Sequence, residues 1–279
     1  MRSNGRVVGP RRGRAEGVKS AERVLDVIEL LTREVHGLTF VEITAELGWP
    51  KSSSHALLQT MTRRGYLSLD EASRRYTLGL RIWEAGQAYN LYDDLVRQAR
   101  PVMERVVDDL DEIAQLAIRD GRYNVYLAKV DCRQPMQLIS SVGRRLPCYA
   151  TGLGKALLAE LSDAELDQLY PEPTLPRFTP STIGDVQTLK SVLAEVRQRG
   201  YATDNEEYTR GLRCIAVPVR GRSGETLAAL SCSIPSARLD AAKFQRALDL
   251  LQAAASEIGA RLAGRPSRPA APVAGGRSA

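Results

Sequence analysis

Histidine is scarce: His36 and His55 are the two in 279 residues, and both fall in the first quarter of the chain. Acid-base catalysis in the later three quarters would have to run without an imidazole. Cysteine is scarce as well. Cys132, Cys148, Cys214 and Cys232 include no CxxC pair, which argues against a disulfide framework and a structural zinc. No apolar run reaches the roughly 18 residues of a membrane helix, and the segment MRSNGRVVGPRRGR lacks the apolar block of a secretory signal. The expected address is therefore the cytoplasm, with no membrane partner. No GxGxxG fingerprint or P-loop occurs either; Gly152-Leu153-Gly154-Lys155 is only superficially like a phosphate loop.

What remains is ordinary for a globular protein, with 43% hydrophobic and 26% charged residues, and the length suggests two domains plus tails. The net charge of +6 is misleading as a nucleic-acid signal. Residues 1–19 carry +5 and residues 264–279 carry +3, which leaves −2 for the rest. Both ends are rich in Arg, Gly, Pro and Ala and read as disordered. The first could hug phosphate as a basic arm or serve solubility alone.

Residues 20–33 place Val24, Val27, Ile28 and Leu31 on one helical face. Thr39 followed by Glu42 is a capping-box pattern that opens a short helix with Phe40, Ile43 and Leu47 inward. Gly48-Trp49-Pro50 breaks the chain, and a third helix runs from about Lys51 to Arg64 with Ser54, Leu57, Leu58 and Met61 buried. Two short helices joined by a tight turn form a helix-turn-helix. The opposite side of the third helix carries Ser52, Ala56, Gln59 and Arg63, flanked by Ser53 and Thr60. Such a face suits a major groove, where hydroxyls and an amide meet base edges and Lys51 and Arg63 meet phosphates; it is equally the composition of a solvated helix.

The following residues favour the groove. Tyr66–Leu69 alternates as a strand, Asp70–Ser73 turns, and Arg74–Leu78 returns, giving a two-stranded wing with Arg74 and Arg75 at its tip. In this order the run GLTFVEITAELGWPKSSSHALLQTMTRRGYL, followed by RRYTLGLRIWEAG, resembles the DNA-binding half of IclR-type bacterial transcriptional regulators. The resemblance departs at Ala56, where the family commonly carries an arginine. It implies DNA contacts from Lys51, Ser52, Ser53, His55, Gln59, Arg63, Arg74 and Arg75.

From Leu80 to about Leu110 the apolar spacing is helical, with an interruption expected near Pro101. Strands are expected over Tyr123–Val130 and Met136–Val142. Helices are expected over Gly152–Leu161, Asp163–Tyr170 and Asp185–Arg199, then three strands and a closing helix from Asp240 to about Leu262. Ser162 with Glu165 is a second capping box. In the late strands, Ile215, Val217 and Val219 share one face while Cys214 and Ala216 take the other; likewise Leu230, Cys232 and Ile234 oppose Ser231 and Ser233. The small polar face would floor a pocket for a small molecule, roofed by residues 147–155, unless helices cover it and its hydroxyls are satisfied internally. Amides at the start of the Gly152 helix would attract a carboxylate.

The resemblance extends through LPCYATGLGKALLAEL and DNEEYTRGLRCIAVPVRGRSGETLAALSCSIP, covering nearly everything from Gly17 to Leu262. It implies an α+β chain: a disordered tail (1–18), a winged helix-turn-helix domain (19–79), a linker helix (80–98), a C-terminal α/β, GAF-like effector-binding domain (99–263) and a second disordered tail (264–279). Effector contacts would come from the Gly152 and Leu153 amides, Asp204, Cys214, Ser231 and Ser233, with Leu138 as an apolar wall. The implied partners are a double-stranded DNA operator, an organic-acid or aromatic effector, and further copies of the chain as a homodimer or dimer of dimers. No cofactor, metal or catalytic residue is expected. The competing readings are an enzyme with Cys214 as nucleophile and Asp204 as its partner, and a metal sensor using Cys214, Asp204 and Glu206 or Glu207.

Overall fold

A computed structural model describes residues 18–88, 92–134 and 141–263, without the side chains of Lys51, Ser52 and Ala263. The tails expected at 1–18 and 264–279 lie outside the described residues, apart from Val18. The chain divides into two compact units between residues 91 and 92.

In the first unit, α1 (Lys19–Arg33) buries Val27 and Leu31. A two-residue strand β1 (Leu38–Thr39) runs directly into α2 (Phe40–Leu47). Thr39 and Glu42 form the reciprocal capping box, and Gly48, at φ 65°, ends α2 in the left-handed region. Next comes α3 (Lys51–Arg63), then β2 (Leu67–Asp70) and β3 (Arg75–Leu78). Sheet order is β1-β3-β2, antiparallel throughout. Val27, Leu31, Ile43, Leu58, Met61, Leu67 and Tyr76 form the core under these elements. At the exit of β3, a Cβ on Gly79 would lie 2.3 Å from the Gly65 carbonyl oxygen, so the chain can leave the sheet only with glycine there. The unit ends in α4 (Leu80–Gln87), which has no buried residue.

The second unit opens with α5 (Asp93–Leu110), begun by Asp93 and Asp94 at its positive end. Pro101 lies inside α5 and does not interrupt it; α4 ends at Gln87 instead. A proline deletes one backbone donor, and the buried stripe of Ala99, Val102, Met103, Val106, Val107 and Leu110 holds the helix through that gap. Six strands then form one antiparallel sheet in the order β6-β5-β4-β9-β8-β7 among the described residues. They are β4 (Ile113–Asp120), β5 (Tyr123–Val130), β6 (Arg145–Pro147), β7 (Ala202–Asn205), β8 (Leu212–Arg220) and β9 (Thr226–Pro235). The expected strand over Met136–Val142 falls mostly outside the described residues, and neither Ser141 nor Val142 is in a strand.

One face of this sheet packs on α5 and the closing helix α9 (Ala241–Ala263), through Leu116, Ile215, Val217, Leu230, Cys232 and Ile234. The other face receives α6 (Gly152–Leu158), α7 (Asp163–Leu169) and α8 (Val186–Arg199). Two hydrogen-bonded rows cross that second face. One runs Asp204, Cys214, Ser233; the next runs Ala202, Ala216, Ser231, Gln115. A register shift between Leu116 and Ala117 pairs them with Ala128 and Tyr126, leaving Leu127 as an extra residue. Tyr126 thereby joins the α6 side and Ala128 the α5 side, although they stand two positions apart.

Candidate functional site

Each unit contains one candidate site. On α3, Ser53, His55, Ala56, Gln59 and Arg63 are exposed, while Ser54, Leu58 and Met61 are buried. Lys51 and Ser52 fall in its first turn, and their side chains are outside those described. The α3 face is held by groups from α1 and α2. Arg23 donates to the Ser53 hydroxyl at 2.9 Å while its guanidinium stacks 5.1 Å from the Trp49 ring centre. The His55 ring meets Phe40 edge-on at 5.8 Å.

In the wing, Asp70 accepts the amides of Ala72 and Ser73 at 2.8 and 2.9 Å, which closes the turn and lowers its carboxyl below the usual range. Arg74 sits at φ 55° at the turn's end, exposed, and pairs with Glu71 at 2.5 Å. Arg75 is not at the tip. It lies within β3 and points its guanidinium into the unit, donating to the Gly37 carbonyl at 2.7 Å and to Glu42 at 3.3 Å. The difference is one of position: Arg74 ends the turn in a left-handed conformation, whereas Arg75 is the first residue of β3 and is held by Gly37 and Glu42. The arginine pair expected at the tip is therefore a single one, Arg74.

The second site lies where α6 crosses the two polar rows. Gln115, Tyr126, Leu146, Thr151, Gly152, Leu153, Asp204, Tyr208, Cys214, Ser231 and Ser233 surround a narrow cavity of about 30 Å³, closed on one side by Thr209 and Leu212. Of the expected effector contacts, all but Leu138 meet here; Leu138 lies outside the described residues. The small residues of the floor leave less space than expected, because α6 itself occupies part of it. A Cβ on Gly152 would touch Ala216 and Cys214, and one on Gly154 would lie 2.2 Å from the Cys148 Cα. Thr151 caps the helix by accepting the Gly154 amide at 3.1 Å, so Gly152 and Leu153 are the first-turn amides left at the cavity wall.

The hydroxyls of the floor divide in two. Ser233 donates to Gln115 Oε1 at 3.0 Å, so at 3.2 Å from Cys214 it accepts from the thiol. Ser231 Oγ is buried with no hydrogen-bond partner among the described residues. Asp204 is buried and accepts the Glu207 amide at 2.7 Å. Desolvation pushes its carboxyl up to about 7, and the neighbouring Glu207 charge pushes the same way, against the Glu207 amide and Lys155. Glu207 is itself buried and paired with the buried Nζ of Lys155 from α6. Glu207 Oε2 has no hydrogen-bond partner among the described residues, while the backbone carbonyl of Glu207 is held by Thr182 at 2.6 Å.

The ion pair, Gln115 and Tyr126 were missed by sequence reasoning. Gln115 and Tyr126 carried a signal, being polar-tipped groups inside apolar strands. A wider groove of about 470 Å³ between β8 and α9 is lined by Arg220 and Arg222, but Arg220 is already paired with Glu160 at 2.6 Å.

The enzyme reading finds no support. Burial pushes the Cys214 thiol well above its ordinary value, and its nearest ionisable neighbour is Asp204, which raises it further. Nor is there, among the described residues, a group of three His, Cys, Asp or Glu able to hold a metal. Glu206 is engaged elsewhere, accepting from Gly211 and Ser236 at 2.8 Å each.

A family model described as "Bacterial transcriptional regulator IclR C-terminal" matches residues 87–260, and one described as "IclR helix-turn-helix domain" matches residues 20–71. The chain is 34% identical over 237 residues to the HTH-type transcriptional regulator XynR of Escherichia coli (strain K12), covering 85% of this chain and 94% of that one. It is 34% identical over 247 residues to KdgR of the same organism, covering 88% and 94%. A solved IclR homolog from Microbacterium hydrocarbonoxydans, complexed with 4-hydroxybenzoate, superposes with a TM-score of 0.77 at 26% identity, covering 88% of this chain and 100% of that one.

Proposed function

Since this chain belongs to the IclR family of bacterial transcriptional regulators, we propose that it binds a DNA operator through α3 and the wing, and that a small organic or aromatic acid in the second unit's cavity alters that binding. The observation that carries the DNA half is the exposed α3 row of Ala56, Gln59 and Arg63, flanked by Ser53, together with the exposed Arg74 of the wing turn. Gln59 can make a bidentate contact with an adenine edge, and the arginines reach phosphate or guanine. Ala56, exposed in the same row, supplies only a methyl group for thymine contact, so readout rests more heavily on Gln59 and Arg63.

The effector half is supported by the cavity's chemistry: two amides at a helix start, an unpartnered buried serine hydroxyl and a buried carboxyl around a small space. A relative holding 4-hydroxybenzoate sets the ligand class to try first. A ligand that binds one conformation of the second unit more tightly changes operator affinity by that difference, through the chain that joins the units. At about 30 Å³ the cavity is smaller than an aromatic acid, so binding one requires the lining to expand.

Operators read by this motif are commonly palindromic, which calls for at least two copies of the chain. Leu80 and Trp83 on α4 stand 68% and 62% exposed, a surface a second copy would cover in a homodimer, with a dimer of dimers as the larger assembly. We assign the chain no catalytic activity and a cytoplasmic location. Gel-shift titration of genomic fragments at moderate salt, with and without 4-hydroxybenzoate and pyruvate, tests the reading. Selective retention of one fragment supports it, and equal weak binding to every fragment would overturn it.

A further inference from the structure

Resting on that reading of the second unit as an acid-binding sensor, we propose that Asp204 takes up a proton when the effector carboxylate enters, so that the pocket binds an acid as the pair of its anion and one proton. The argument begins with a charge count. The buried cluster beside the cavity holds two carboxylates, Asp204 and Glu207, and one cation, Lys155. Lys155 is committed to Glu207 by direct contact, leaving Asp204 without a cation of its own. With Asp204 ionised the cluster carries one negative charge before any ligand arrives, and an incoming carboxylate would make two in a desolvated space. With Asp204 neutral, the cluster is balanced and the anion brings the only net charge.

The Glu207 and Tyr208 amides and the charge of Lys155 favour the Asp204 anion, but burial outweighs them. Tyr126 from β5, Tyr208 from the loop after β7 and Cys214 from β8 are held uncharged by burial, which raises all three. Gln115 from β4 is neutral. Glu206 faces Ser236 and Gly211 and takes up the charges of Arg213 and Arg210, while Arg144 is exposed beside Tyr208. The Asp204 carboxyl accepts the Glu207 amide on Oδ1 and is also met by the Tyr208 backbone N–H, and a proton on it turns an acceptor into a donor able to meet the ligand carboxylate. The proton comes from solvent as the anion enters. Its release on raising pH expels the anion, making affinity for acids pH-dependent in a range where carboxylates normally are not. The carboxyl's position near 7 sets that range.

The test uses the full-length chain. Calorimetric titration with 4-hydroxybenzoate and pyruvate, run at pH 6, 7 and 8 in phosphate and in Tris, should show wild-type affinity falling about fivefold from pH 7 to pH 8. The heats should differ between buffers by the ionisation heat of about half a proton at pH 7 and close to one proton at pH 8, with little difference at pH 6. Asp204→Asn keeps the acceptor for the Glu207 amide but cannot titrate; its affinity should change less than about twofold over the same range, with no buffer dependence. Equal pH slopes in the two proteins would overturn the proposal.

A second measurement needs no ligand. A carboxyl raised in the fold loses stabilisation as pH climbs from its ordinary 3.8 to about 7. Wild-type melting temperature should therefore fall relative to Asp204→Asn across that interval, and parallel curves would refute the idea. If neither acid binds at any pH while an operator fragment is still retained, the proton linkage fails and the DNA-binding reading stands.

Discussion

Arg75 Nη1 on the returning wing strand lies 3.3 Å from Glu42 Oε2, the same oxygen that accepts the Thr39 amide at 2.8 Å and caps the helix before the turn. One carboxylate oxygen thus ties wing to helix-turn-helix, with Thr39 hydrogen bonds and the Arg75 charge together holding Glu42 ionised below its ordinary range. A neighbouring pair of arginines is split between two tasks.

Arg74→Ala should weaken operator binding and lower the slope of log affinity against log salt by about one, as expected for a lost phosphate contact. Arg75→Ala should leave that slope unchanged and instead lower the melting temperature of the first unit by a few degrees. Gel shifts at three salt concentrations and a thermal melt separate the two. Equal slopes for the two variants would place Arg74 off the DNA.

Gln59→Ala should cost about 1 to 3 kcal/mol of discrimination at one base position, while binding to non-specific DNA is little affected. A competition assay against single-base operator variants measures it, and a uniform loss on all sequences would place the side chain off the bases.

Lys155→Ala leaves Glu207 buried and uncompensated, and should destabilise the second unit by about 3 to 5 kcal/mol. Adding Glu207→Gln should recover a large part of that loss, as read by chemical denaturation. An additive double variant would mean that the two side chains are not energetically coupled.

Gly154→Ala drives a methyl into the Cys148 backbone, and should cost about 1 to 3 kcal/mol. Gly152→Ala meets its neighbours at ordinary contact distance and should be close to neutral for folding while crowding the cavity floor. The pair of melts, set beside effector titrations, distinguishes packing from ligand access.

The parts of the fold legible in advance were those with a local chemical signature. Thr39 with Glu42 and Ser162 with Glu165 both form complete capping boxes. Tyr123–Val130 is a strand with those bounds. The two-residue alternation of β8 and β9 sorted Cys214, Ser231 and Ser233 to one face because one side of those strands carries bulk and the other does not.

The central strand β4 was missed for the opposite reason. Helices cover both of its faces, its first six residues are all buried, and IAQLAI therefore shows no alternation. The Lys155–Glu207 pair joins residues 52 positions apart, and nothing local to either one announces it. In the sequence Arg74 and Arg75 read as one cationic patch, whereas Arg74 ends the turn and Arg75 opens β3, engaged by Gly37 and Glu42.

The unmatched Leu127 in β5 has an evolutionary corollary. By resetting the parity of the strand midway, it frees Asn124 and Tyr126 from sharing an orientation with Ala128. Replacements that reshape the cavity at Tyr126 can then accumulate without forcing compensations under α5 and α9.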